Sequence, residues 1–80
     1  MVKEVKMIDY SDLLIKIRAK LNVSQEKLAI KLGVSFATIN RWEKEHFEPT
    51  MMHKQKILDL CKELKIAVDD KRRNRQLYVK

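Results

Sequence analysis

Eighty residues allow one folded unit, and at this size only about 60% of the surface that an unfolded chain exposes becomes buried, which excludes a second domain and a large core. A single cysteine, Cys61, excludes an internal disulfide framework, two histidines fall short of the density of a structural zinc site, and no apolar run approaches the roughly 18 to 20 residues that cross a bilayer. The formal net charge is +7, yet residues 71–80 carry +5 of it and the first seventy only +2, so charge alone does not decide the class.

The only Gly and the only Pro each fall between stretches whose apolar residues recur at helical spacing. In the first stretch Leu14, Ile17 and Leu21 lie three and four apart, predicting helix 1 over about 11–20 with Ser11 as its N-cap. Ser24 opens the second, where Leu28, Ala29 and Leu32 form the buried face and Gly33 supplies the left-handed residue just past the end, so helix 2 covers about 25–32. Ser35 offers a further N-cap, and Ile39 and Trp42 face inward three apart, predicting helix 3 over about 36–44. After Pro49, Thr50 is placed to cap helix 4 at roughly 51–64, with Ile57, Leu58, Cys61 and Leu64 as its stripe and the pair Met51–Met52 filling space beside the loop.

The ends are less regular. Val2, Val5 and Met7 fit neither helical nor strand period, and residues 76–79 form a short strand-like run; fraying ends are the default, with a two-stranded pairing as the alternative. The organisation expected is an N-terminal arm at 1–10, a domain at 11–66 and a basic tail at 67–80. Glu4 and Asp9 interrupt the apolar stretch that a signal peptide would need, so the expectation is a soluble, unprocessed, cytoplasmic protein.

Helices 2 and 3, short and joined by a tight turn, constrain several positions at once. Ala29 is small where the helices approach, Gly33 turns the chain, Val34 plugs the space beneath, and Leu28, Leu32, Ile39 and Trp42 anchor the pair to the core. The run from Leu21 through Ser24, Gln25, Ala29, Gly33 and Ser35, then Thr38 to Glu43, then Glu48-Pro49-Thr50, resembles the helix-turn-helix of the phage lambda and 434 repressors and Cro, grouped with the xenobiotic response element regulators. The likeness extends over about residues 11–66.

That resemblance implies an all-α bundle of four to five helices that binds double-stranded DNA with helix 3 in the major groove, usually as a homodimer on a near-palindromic site. It assigns base contacts to Phe36, Ala37, Asn40 and Arg41, and backbone contacts to Gln25, Ser35, Thr38 and Lys44. Arg41 can donate twice to guanine, and Ala37 or Phe36 can meet a thymine methyl. For Phe36, packing over the turn is an equal alternative, and Thr38 and Asn40 can also be plain surface residues. Arg18 and Glu43 match positions that pair in the family and would tie helix 3 to helix 1. Two departures stand out. Lys44-Glu45 replaces a frequent Asn-Gly, which predicts a helix 3 that continues past Lys44, and no fifth helix is evident after Ile66.

Catalysis finds little support. His46 and His53 lie seven apart without a carboxylate or cysteine at ligand spacing, Cys61 sits on an apolar stripe, and neither a metal nor a cofactor is expected. The rival to a transcriptional regulator is a DNA-targeting or protein-interaction module of a larger, restriction-modification-like protein. The exposed positions of helix 3, Ser35, Ala37, Thr38, Asn40, Arg41 and Lys44, include no acid, which favours DNA.

Overall fold

A computed structural model describes residues 8–68. Residues 1–7 of the arm and 69–80 of the basic tail, and with them the choice between fraying and paired ends, lie outside the described residues. Within them the chain forms four helices, α1 (Tyr10–Leu21), α2 (Gln25–Leu32), α3 (Phe36–Glu43) and α4 (Met51–Glu63).

The start of α1 corrects the sequence reading. Asp9, not Ser11, is the N-cap: its backbone is extended, and its Oδ1 accepts from the Asp12 N–H at 3.2 Å. Ser11 lies inside the helix and is buried. Both residue types cap well, so the choice falls to packing, which draws Ser11 inward beside Leu13 and Leu14. At the other end Asn22 adopts a left-handed φ of 57°, and the Val23 N–H reaches back to the Arg18 carbonyl at 3.1 Å. Asparagine tolerates that conformation better than most residues.

Helix α2 begins and ends where its punctuation places it. The Ser24 side chain accepts from the Lys27 N–H at 3.2 Å. Gly33 takes φ 74°, and the Val34 N–H closes on the Ala29 carbonyl at 2.9 Å. Ser35 then caps α3 by accepting from the Thr38 N–H at 3.1 Å.

The end of α3 is a second correction. The helix stops at Glu43 with Lys44 as C-cap, and Glu45 turns left-handed at φ 61° without the glycine that the turn would favour. The His46 N–H returns to the Arg41 carbonyl at 3.0 Å and the Glu45 N–H to the Trp42 carbonyl at 3.1 Å, so the helix end is closed by the backbone itself.

At α4, Thr50 holds the N-cap position but makes no capping bond; its hydroxyl meets His53 Nδ1 at 3.0 Å instead. Met51 and Met52 are exposed, not packed beside the loop. The pattern misleads because the buried stripe of α4 starts only at Ile57, leaving the first turn free of the core.

Leu14, Ile17, Leu28, Ile39, Ile57 and Cys61 are wholly buried, and Leu13, Ala29, Leu32, Trp42 and Leu60 complete the core. Helix α1 packs against α3 and α4, while α2 packs chiefly against α3. Every helix therefore has one face in a shared centre, and α3 keeps its other face in solvent. No helix among the described residues is long and apolar enough to cross a membrane.

Candidate nucleic-acid interface

Short as it is, α3 is held by both of its inward residues. Ile39 is fully buried and Trp42 nearly so, and the Trp42 ring rests against His53 of α4 with ring centroids 5.3 Å apart. Burial of an aromatic and a β-branched side chain on eight residues fixes which face looks outward. That face presents Phe36, Ala37, Arg41 and Lys44, all exposed, with Asn40 and Thr38 at its half-buried margins. Phe36 is 51% exposed, so it is not sealed over the turn.

The one acid on α3 points the other way. Glu43, whose side chain is 7% exposed, receives the Arg18 guanidinium from α1 through two bonds, Nε to Oε2 at 2.8 Å and Nη2 to Oε1 at 2.9 Å. This paired geometry matches the fork of a guanidinium to the two oxygens of a carboxylate, and the hydrogen bond to Glu43 holds the Arg18 pKa above its ordinary value. The pair removes a negative charge from the outward face and anchors α3 to α1 across 25 residues of sequence.

Gln25 joins the same network. Its Nε2 donates to Glu43 Oε1 at 2.8 Å, and its Oε1 accepts from Asn40 Nδ2 at 3.2 Å. The side chain at the start of α2 is thus committed to the scaffold and to α3. The sequence spacings of 18 and 15 gave no local signal of this linkage. Ser35 and Thr38 are likewise brought together, their hydroxyls 2.9 Å apart at the start of α3.

Arg41 has a partner absent from the sequence reading. Its guanidinium lies 5.7 Å from the centre of the Phe47 ring, and Phe47 itself is 62% exposed. The two face a hollow whose walls include Val34, Trp42 and His53. An aromatic six residues beyond an arginine, across a helix end, was the available clue. Among the described residues no group of three or more His, Cys, Asp and Glu is placed to hold a metal ion.

The arrangement is an exposed, acid-free helix face bearing two cations, an amide and small or apolar groups, mounted on a rigid base. A family model described as helix-turn-helix matches residues 14–67. No curated protein and no solved structure matches significantly. The matched segment takes in all of α2, the turn, α3 and α4, and the chain belongs to the helix-turn-helix family of DNA-binding proteins, of the lambda and 434 repressor and Cro type.

Proposed function

We propose that the protein is a transcriptional regulator that recognises a specific sequence of double-stranded DNA by laying α3 in the major groove. The observation that carries this is the division of α3: its only acid is turned inward onto Arg18, while Arg41 and Lys44 stay outward beside Phe36 and Ala37. A face of that composition meets phosphates without repulsion and still carries groups able to read base edges.

In this reading Arg41 donates to guanine, Phe36 and Ala37 meet thymine methyls, and Asn40 addresses a neighbouring base. Lys44 and the hydroxyls of Ser35 and Thr38 face phosphates. Gln25 contributes through the first turn of α2, whose backbone N–H groups favour an anion, and through the Nε2 hydrogen that Glu43 leaves free. The Phe47 ring limits where the Arg41 guanidinium goes before DNA arrives, which reduces the ordering needed on binding.

Arg41→Ala tests the assignment. It should cost on the order of 1 to 3 kcal/mol on the preferred site, relax the preference at one base pair, and leave binding to random DNA nearly unchanged. Equal weakening on every sequence would make Arg41 a phosphate clamp and leave the reading to its neighbours.

A further inference from the structure

Beside the outward face of α3 lies a hollow of about 330 Å3, whose walls include Thr38, Arg41, Trp42, Phe47 and His53. Organic ligands ordinarily occupy pockets of roughly 300 Å3 and upward, so this space suits one or two fused rings. Three aromatic side chains meet there. The Trp42 and His53 rings lie against each other, 5.3 Å between centroids, and Phe47 stands largely in solvent with the Arg41 guanidinium over its ring. An aromatic face left that open is stabilised when a second flat ring covers it.

The charge in the hollow has one sign. No Asp or Glu lines it, and among the described residues Arg41 pairs with no carboxylate, whereas Arg18 and Lys54 each do. The Thr38 hydroxyl is already matched with Ser35 at 2.9 Å, and the Thr50 hydroxyl with His53 Nδ1 at 3.0 Å. The donor fork of Arg41 is therefore the main unclaimed polar group, and its geometry fits the two oxygens of a carboxylate. A cationic ligand would be repelled, and a neutral one would leave that fork unused.

We propose that this hollow binds a planar aromatic monocarboxylate, its ring against Phe47 and its carboxylate on Arg41, and that such a ligand competes with DNA. The competition rests on the proposed base reading by α3; the ligand site itself does not. Arg41 cannot give its paired donors to a carboxylate and to guanine at once, so an occupied hollow withdraws the side chain that reads the base. The ligand thereby acts as an effector that releases DNA.

The test titrates the full chain, labelled with 15N, with sodium 2-naphthoate and separately with neutral 2-naphthamide, total salt held constant. Saturable shifts should appear at Arg41, Trp42, Phe47 and His53, with a Kd on the order of 0.1 to 1 mM, as befits a ligand of about 13 heavy atoms. The amide should bind about tenfold more weakly. Arg41→Ala should remove that difference, and Phe47→Ser, a change at an exposed residue, should weaken both ligands at least fivefold, with folding of each variant checked by circular dichroism. On a duplex selected from a random library, naphthoate at ten times its Kd should lower the apparent DNA affinity of the parent about tenfold.

Shifts that do not saturate below 10 mM, or that centre away from the hollow, overturn the site. Equal binding of naphthoate and naphthamide by the parent overturns the role of Arg41 in it. Saturation of the hollow with no loss of DNA affinity overturns the competition while leaving DNA reading by α3 intact. A parent that enriches no DNA motif defeats the DNA reading and the effector role together, and the titration without DNA then decides the site alone.

Discussion

Two places in this small fold make the same backbone move by different means. After α2 the chain turns left-handed at Gly33, with φ 74°, and after α3 it turns left-handed at Glu45, with φ 61°. Glycine enters that region without a steric penalty, whereas any residue with a Cβ is opposed by roughly 1 to 2 kcal/mol. The first turn is therefore set by the residue that occupies it. At the second, the surroundings override the residue: Glu43 is clamped by Arg18 and Gln25, Trp42 is buried, and Pro49, a few residues on, is buried too. A locally unfavourable end is tolerated where tertiary contacts fix the chain on both sides of it, which is how α3 keeps its length without a glycine stop.

The largest effect is expected on the side where local preference rules. Ala29 is buried on α2, which packs chiefly against α3, and its carbonyl receives the Val34 N–H that closes the first turn. Ala29→Glu forces a carboxylate into that contact and should remove about 3 kcal/mol or more, enough to unfold so small a domain in thermal melting. A variant that melts like the parent would mean that α2 does not pack on α3 as described.

Next comes the tertiary hold on the second turn. Glu43→Ala leaves a half-exposed Arg18 and the Gln25 amide without their common acceptor, and should cost about 1 to 3 kcal/mol. Hydrogen exchange should rise at Glu45 and His46 and stay unchanged at Gly33 and Val34. Equal increases at both turns would erase the distinction between them.

The two turning residues themselves should respond with opposite signs. Nothing lies within 4 Å of a Cβ added at Gly33, so Gly33→Ala meets only the backbone penalty and should destabilise by about 1 kcal/mol. Glu45→Gly relieves that penalty and should stabilise by about 0.5 to 1 kcal/mol, the gain reduced by the added freedom of the unfolded chain. In a domain this size these are melting shifts of several degrees, downward and upward. Shifts of the same sign would refute the account of the second turn.

The smallest effect concerns neither turn but the core and rim that support both. Burial pushes the Cys61 thiol and the Tyr10 hydroxyl above their ordinary values, and the hydrogen bond to Glu48 does the same for Lys54. Each group holds its proton more tightly when folded, so the stability it contributes is complete below the unfolded value and is lost as pH rises through the folded one. Melting temperature should accordingly decline from about pH 9 upward, the Cys61 share vanishing in Cys61→Ala. A flat profile to pH 10.5 would show that burial does not hold these protons.

How far the sequence could be read follows from the same contrast. Helix α2 was legible to the residue because Ser24 and Gly33 signal both its ends locally. The end of α3 was not, since Lys44-Glu45 carries no stop signal and contacts from distant residues impose one. At α1 two competent caps stood two residues apart, and burial of Ser11 decided between them. The outward face of α3 is readable from the spacing of Ile39 and Trp42, which form its buried face. The Arg18–Glu43 pair came from resemblance alone, while the Gln25–Asn40 bond and the Arg41–Phe47 stack depend on side-chain directions that no spacing rule supplies.

The central claim, that the exposed face of α3 reads base edges in the major groove, is tested most directly by methylation interference on a duplex selected from a random library. Dimethyl sulfate marks guanine N7 in the major groove and adenine N3 in the minor groove. The expected result is an enriched motif whose binding is blocked by N7 methylation at the guanine addressed by Arg41, and unaffected there in Arg41→Ala. Enrichment of no motif, or interference confined to adenine N3, would contradict it.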